Sequence, residues 1–413
     1  MIEEVATGFV PPPYPFERLG RARALAEGWE GGAVDLSVGT PCDPPPPAVL
    51  AALAGSGALR GYPTSVGSPA YREAARAWIA RRWGIDVPEG ALAACVGTKE
   101  LVASTPQWLR LRRPDRDTVL HPAVAYPTYA MGAVLSGCRA VAVPPAADGS
   151  GRLDLAAVAE SDAERALALW VNSPANPTGA LDDLGAAAAW GRAHDVPVLS
   201  DECYVELTWN GPPRTVLEHG LEGVVAVHSL SKRSNLAGAR AGFYAGDPEL
   251  VGYLSEVRKH AGLMVPGPVQ AAAAAALDDD GHVYAQRARY HERLARFAEI
   301  LGGLGLDVEL PAGGFYLWAG LPVGPSPAGP PPGRPEAPAP APALSQEQAG
   351  GPAAESPAWV WTEALASAGG VLVSPGDLYG PGGAHRLRVA MVTPMERLEL
   401  VADRLATTWA APG

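Results

Sequence analysis

The stretch HSLSKRSNLAGARAGF, residues 228–243, decides how the rest of the chain is read, and Lys232 stands at its centre. The 413 residues carry 32 lysines and arginines, and only three of these are lysine: Lys99, Lys232 and Lys259. A composition that takes its positive charge from arginine reserves lysine for work that a guanidinium cannot do. Arginine keeps its proton near neutrality, whereas a lysine amine can lose it and then condense with an aldehyde. The flanks suit that use. The apolar run VVAV at 224–227 leads to the hydroxyls of Ser229 and Ser231, and the small-residue stretch LAGARAGF at 236–243 lets backbone approach a bulky ligand.

Working outward, other segments add to this one. CVGTKELVAS, residues 95–104, runs a short apolar strand into Gly97, Thr98 and Lys99 and then a helix. That geometry offers free backbone N–H groups and the positive end of a helix dipole to an anion such as phosphate. The glycine-rich dinucleotide fingerprint is absent, so this turn gains meaning only beside the others. VPVLSDECY, residues 196–204, reads as a buried strand ending at Asp201 and Tyr204. The carboxyl end of a strand is where α/β sheets bind ligands. ALALWVNSPANPTG, residues 166–179, is a similar strand that ends in a proline-rich loop containing Asn176. In RLRVAMV, residues 386–392, Arg388 is a charge inside an apolar run, which calls for a bound anion or a partner. Arg386, two residues earlier and on the same face by strand alternation, competes with it.

In chain order, GTKE, YPTY, NSPANPTG, SDECY, SLSK, GARAGF and HRLRVAMV resemble the class I and II aminotransferases, fold type I enzymes that use pyridoxal 5′-phosphate. The resemblance spans nearly the whole chain. It implies that Lys232 forms the Schiff base with the cofactor and then moves the α-proton of the substrate, while Asp201 keeps the pyridine nitrogen protonated and Tyr204 donates to the phenolic oxygen. Tyr126 stacks on the pyridine face. Phosphate is held by the Thr98–Lys99 turn with Ser229, Ser231 and Arg240. Lys99, the other lysine that could be weighed for the Schiff base, falls in that turn, where its backbone matters more than its amine. Asn176 lies beside the phenolic oxygen and the substrate carboxylate, Arg388 takes the α-carboxylate, and Gly39 lies where backbone touches substrate. Tyr62 reaches the cofactor phosphate of a neighbouring subunit, which implies a homodimer with shared active sites.

Length and pattern agree with such an enzyme. The chain is long enough for two domains. Alternating strands and helices from about 45 to 265 predict a mostly parallel sheet, seven-stranded in the resembling enzymes, covered by helices on both faces. Residues 1–44 are expected to form an arm and part of a small α+β domain, 45–265 the large cofactor domain, and 266–413 the small domain. Within GYPTSVGSPAYREAARAWIARRWG, residues 61–84, Ala74, Trp78, Ile79 and Arg82 fall at helical spacing. Residues 322–357, dominated by Pro, Ala and Gly, lack any apolar periodicity and are expected to be a disordered insertion.

The net charge of −12 and the lack of a basic run argue against nucleic acid. No stretch reads as a leader or a membrane span, so a cytoplasmic protein is expected. Four widely spaced cysteines offer neither a disulfide framework nor a metal-ligand pattern.

Extended segments, among them LSVGTPCDP, GTKELVAS, SDECYVEL, VRKHAGLMVP and SPGDLYGPGGAHRLRVAM, resemble the actinobacterial N-succinyldiaminopimelate aminotransferases of lysine and cell-wall precursor synthesis. The implied reaction converts N-succinyl-LL-2,6-diaminopimelate and 2-oxoglutarate to N-succinyl-2-amino-6-oxopimelate and glutamate. Arg258, Lys259 and His260 are candidates for the distal end of such a polyanion. The alternatives are an aminotransferase for another dicarboxylic, aromatic or N-acylated amino acid, a carbon-sulfur lyase of the same fold, and a non-catalytic regulatory or scaffold protein using the proline-rich insertion, against which the intact set of Lys232, Asp201, Asn176 and Arg388 speaks.

Overall fold

Apolar runs buried on both faces form the centre of the molecule, as a parallel sheet covered by helices requires. The computed structural model describes residues 8–55, 57–322 and 356–409. Of the stretch 322–357, only Pro322, Ser356 and Pro357 fall among the described residues, and Pro357 begins the helix Pro357–Gly369. In chain order the strands are β1 (Val34–Asp35), β2 (Leu92–Cys95), β3 (Thr118–Pro122), β4 (Arg139–Val143), β5 (Ala166–Asn172), β6 (Val198–Asp201), β7 (Val224–Ser229), β8 (Gly242–Gly246), β9 (Tyr316–Gly320), β10 (Val371–Leu372), β11 (Ser374–Pro375) and β12 (Arg386–Ala390).

Seven strands form one sheet in the order β2-β8-β7-β6-β5-β3-β4. Strand β8 runs antiparallel to both its neighbours, and the other pairings are parallel. Every residue of β5, β6 and β7 is buried. The register pairs Asn172 with Asp201 and Asp201 with Val227, so these residues leave the sheet together at its carboxyl edge. Strand β7 continues for two more residues, His228 and Ser229, before the turn into Lys232.

The helix Pro69–Trp83 illustrates how local sequence sets an element. Ser68 caps its start by accepting from the Tyr71 N–H, a proline opens the first turn, and Gly84 ends it in the left-handed conformation at φ 70°. Ala74, Trp78 and Ile79 are buried, as their spacing predicts. Arg82, expected on the same face, instead carries its charge to an ion pair with Glu206.

A second layer holds β9, β11 and β12 in an antiparallel sheet, while β1 pairs in parallel with β10 and ties residues 34–35 to 371–372. Its core includes Leu36, Phe297, Leu317, Trp361 and Val389. The expected boundary at 265 differs from the packing. Ala272, Ala273, Ala276 and Leu277 of the helix Gly267–Asp278 share the core of the large sheet, and the helix packs on Pro47–Gly55 and Pro69–Trp83. An alanine-rich helix offers nearly equal apolar faces, so its sequence does not say which core it joins. The division in packing falls along the next helix, Gly281–Gly303, whose Leu294, Phe297 and Leu301 enter the small core. Among the described residues no helix is long and apolar enough to cross a membrane.

Candidate active site

A cavity of about 390 Å³ opens at the carboxyl ends of β5, β6 and β7, and its wall contains Lys232. The lysine belongs to the short helix Leu230–Arg233 that follows β7 directly, so the sheet sets where its stem begins. Its Nζ donates to the Gly39 carbonyl and lies 5.6 Å from the centre of the Phe315 ring. Burial pulls the amine down to about 8; the Arg388 and Arg240 charges act in the same sense, and Cys203 opposes them. An amine so placed loses its proton far more readily than a solvated lysine.

Asp201, the last residue of β6, is buried in the same wall. Its Oδ2 accepts from Tyr129 Oη at 2.8 Å and its Oδ1 from the Cys203 N–H at 3.2 Å. Burial raises its carboxyl above the usual range, and the hydrogen bonds from Cys203 and Tyr129 offset part of that rise. Tyr126 presents its ring to the cavity and meets Tyr129 edge to face at 5.9 Å. Tyr204 is buried, with its Oη 2.9 Å from Tyr316 Oη.

At the turn 97–99, Gly97 holds φ 73° and caps the helix Thr98–Arg112. Arg240, itself left-handed at φ 57°, lays its guanidinium against that glycine and donates from Nη1 to the Ala237 carbonyl at 2.9 Å. A Cβ at Gly97 would stand 3.1 Å from Arg240 Nη1 and nearer still to its Cζ and Nη2, so glycine keeps this cradle open. Ser229 and Ser231 line the same cavity, and the Ser231 N–H donates to Ser229 Oγ at 3.1 Å. Thr98 Oγ1 accepts from Cys203 Sγ at 3.2 Å.

Arg388 enters from β12 and is 3 % exposed, so its charge needs partners. Its Nη1 donates to Asn176 Oδ1 at 3.0 Å and its Nη2 to the Ser37 carbonyl. The guanidinium lies 4.2 Å from the centre of the Tyr316 ring and 4.6 Å from that of Tyr379. Its Nε has no partner among the described residues. Asn176 is held from behind, its N–H donating to Asn172 Oδ1 at 2.7 Å. Arg386, the competing arginine, donates to the Trp318 carbonyl at 3.1 Å and does not line the cavity.

Of the residues singled out from sequence, Gly39, Thr98, Lys99, Tyr126, Asn176, Asp201, Tyr204, Ser229, Ser231, Lys232, Arg240 and Arg388 meet at this one cavity. Tyr62 does not; it is fully exposed on its own chain. Lys99 donates from Nζ to Tyr14 Oη at 3.0 Å and rests 4.6 Å from the Tyr14 ring. Burial works against its ammonium, but the Tyr14 and Tyr126 hydroxyls more than offset this and raise it.

The suggestion that Arg258, Lys259 or His260 meets the distal end of a substrate is corrected by the packing. Arg258 is buried against Glu100, with contacts of 2.5 and 2.9 Å, Lys259 pairs with Glu256 on the surface, and none of the three lines the cavity. Sequence reading missed Tyr14, Tyr129 and Tyr316. Tyr129 carried a signal, since it stands three residues after Tyr126 in the first turn of the helix Thr128–Leu135. Tyr316 sits in a strand of apolar residues and reads as core.

These residues fit pyridoxal phosphate. An amine of lowered basicity serves its aldehyde, a glycine and arginine cradle at a helix start serves its phosphate, and a buried carboxylate serves its ring nitrogen.

Comparison with known proteins agrees. The family described as "Aminotransferase class I and II" matches residues 32–405. The chain is 41 % identical over 403 residues to "Probable aminotransferase Rv1178" of Mycobacterium tuberculosis, covering 95 % of this chain and 85 % of that one. It is 37 % identical over 402 residues to "4-dedimethylamino-4-oxo-anhydrotetracycline transaminase OxyQ" of Streptomyces rimosus, covering 95 % and 99 %. Among solved structures, a probable N-succinyldiaminopimelate aminotransferase of Thermus thermophilus superposes with a TM-score of 0.79 at 30 % identity, covering 96 % of this chain and all of that one.

Proposed function

We propose that this chain, which belongs to the class I and II aminotransferases and depends on pyridoxal phosphate as that family does, transfers the amino group of N-succinyl-LL-2,6-diaminopimelate to 2-oxoglutarate. On this reading it serves lysine and diaminopimelate synthesis and works as a homodimer, with Tyr62 reaching into the partner's site.

The observation that carries the substrate class is the charge of the cavity wall. Lys232 aside, it holds three cations, Lys99, Arg240 and Arg388, against a single carboxylate, Asp201. The cofactor phosphate would take Arg240 and the α-carboxylate Arg388, which would leave the Lys99 ammonium for a distal carboxylate. A donor with acidic groups at both ends matches that count. The likeness to the Thermus thermophilus protein supports the succinylated donor in particular.

Bound pyridoxal phosphate supplies an aldehyde carbon for amines and a ring that accepts electrons when the α-proton leaves. The chain's own residues do the rest. Lys232 Nζ, lowered to about 8 by burial, has a usable free-base fraction at neutral pH, so it can take the proton from the substrate Cα and deliver it to the carbon that carried the cofactor's aldehyde. Arg388 fixes the α-carboxylate in a two-pronged grip, and Asn176, bonded to it at 3.0 Å, limits where that grip can point. Asp201, steadied by the hydrogen bond from Tyr129, would hold the proton on the ring nitrogen of the bound cofactor. Tyr204, tied to Tyr316 at 2.9 Å, would donate to the phenolic oxygen of the bound cofactor. Because one donor must leave before the second acid enters, ping-pong kinetics follow.

The test is glutamate formation from N-succinyl-LL-diaminopimelate and 2-oxoglutarate, with free LL-diaminopimelate, N-acetylornithine and aspartate as competing donors. A kcat/KM for the succinylated donor at least tenfold above the others is expected on about 1.4 kcal/mol of added recognition. Preference for an unsuccinylated donor would contradict the substrate reading while leaving an aminotransferase. The likeness to the Streptomyces rimosus transaminase favours a second reading, an acceptor ketone on a bulky polycyclic frame. Turnover of such a ketone, with N-succinyldiaminopimelate inert, would replace the first.

A further inference from the structure

Strand alternation sends adjacent side chains to opposite faces of a sheet. At the ends of β6 and β7 it brings Asp201 and Ser229 to the large cavity and turns their sequence neighbours, Glu202 and His228, to the reverse side. There the two meet. His228 Nε2 lies 3.5 Å from Glu202 Oε2, and both residues are buried.

That separation is too long for a hydrogen bond from an imidazole. Glu202 Oε1 is satisfied, accepting from Ser200 Oγ at 2.9 Å and from the Val216 N–H at 2.8 Å. Oε2 and both ring nitrogens of His228 have no hydrogen-bond partner among the described residues. These groups border a pocket of about 10 Å³. The rings of Trp78, Trp83 and Phe243 stand 5.1, 5.9 and 5.0 Å from the imidazole and close it in. A pocket of that size has room for one water, and unpaired polar atoms in its wall give the water partners that a purely apolar pocket lacks. Leaving an acid and an imidazole buried and unbonded is costly enough that native structures rarely do so.

We propose that Glu202 and His228 are positioning residues, joined through one buried water into a bridge behind the cofactor cavity that holds Asp201 and Ser229 in place. The bridge spans the ends of β6 and β7, where the register ends at the Asp201 and Val227 pair and the Glu202 N–H donates to the Val227 carbonyl at 2.9 Å. Burial pushes the Glu202 carboxyl up to about 8 and pulls His228 down to about 3, with the neighbouring Arg233 charge acting in the same sense on the imidazole. The acid therefore keeps its proton and the imidazole stays neutral. The carboxyl O–H donates to the water, and the water donates to the free ring nitrogen. The inference rests on reading Asp201 and Ser229 as cofactor residues, and its test separates the two.

The experiment uses the full chain with Glu202→Gln, Glu202→Leu and Asp201→Asn. The readouts are the dissociation constant of pyridoxal phosphate and the thermal unfolding of the protein without it. Glu202→Leu removes the donor to the water and is expected to weaken cofactor binding about tenfold, as loss of an outer support does at a metal ligand, while Glu202→Gln, which can still donate, stays within about threefold of the parent. Weaker binding in Asp201→Asn with none in Glu202→Leu overturns the bridge and leaves the reading of Asp201 intact. No weakening in Asp201→Asn overturns that reading and the inference with it. If Glu202→Leu does not fold, a crystal structure of the parent decides. An ordered water within hydrogen-bond distance of Glu202 Oε2 and a ring nitrogen of His228 is expected, and a dry pocket overturns the proposal.

Discussion

Replacing Arg388 with glutamine tests the substrate grip where the structure specifies it most fully. The guanidinium is 3 % exposed, donates to Asn176 Oδ1 at 3.0 Å and to the Ser37 carbonyl, and lies against the Tyr316 and Tyr379 rings. Glutamine keeps one neutral donor for Asn176 but removes the charge and the second prong. A hydrogen bond to a charged group contributes about 1.5–3 kcal/mol and a neutral one about half that, so losing the fork should cost about 2–4 kcal/mol at the α-carboxylate. That is about 30- to 900-fold in kcat/KM for the amino donor. Steady-state kinetics should place the loss mainly in KM, because the carboxylate is held before and during proton transfer alike. A primary amine without a carboxylate should react no more slowly in Arg388→Gln than in the parent. Arg386→Gln, which loses a bond to the Trp318 carbonyl outside the cavity, should stay within about threefold, in the range of surface substitutions. A KM for the amino acid unchanged in Arg388→Gln, or raised equally in Arg386→Gln, would refute the reasoning.

Two further perturbations follow from the same geometry. Gly97→Ala puts a methyl group against the Arg240 guanidinium and asks an L-residue to hold φ 73°; it should weaken cofactor phosphate binding about tenfold or more while free pyridoxal, which lacks the phosphate, binds as in the parent. Equal weakening for both would place the defect elsewhere. Lys232→Met should stabilise the cofactor-free protein. The native amine titrates near 8 and an unfolded lysine near 10.5, so the unfolded state binds more protons between those values and stability rises with pH there. Below about pH 8 the buried charge costs up to about 3 kcal/mol, and the mutant's advantage should fade as pH climbs toward 10.5. Denaturant melts at pH 7 and pH 10 measure this, and an advantage that grows with pH would show the sign to be wrong.

How far the chain could be read from its letters depends on what each residue was doing. Lys232 stood out because lysine is scarce here, Asp201 because a buried strand ends at it, and Asn176 because it lies in the proline-rich loop just after another. Arg388 stood out as a charge within an apolar strand, though only the fold separates it from Arg386. Tyr316 left no trace, since an aromatic residue in a buried strand reads as packing until Tyr204 and Arg388 are seen to touch it. The basic run at 258–260 misled for the opposite reason. A guanidinium that looks free in sequence found Glu100, a partner 158 residues away. The placement of the helix Gly267–Asp278 required the three-dimensional core, because alanine does not distinguish one apolar surface from another.

The central claim, that Lys232 carries the cofactor, is tested most directly by peptide mass mapping after the protein is incubated with pyridoxal phosphate and reduced with borohydride. The chain has only three lysines to choose among, so the assignment is clean. The pyridoxyl mass on the peptide containing Lys232, lost in Lys232→Ala, is the result expected here; the same mass on Lys99 or Lys259, or on no lysine, would contradict it.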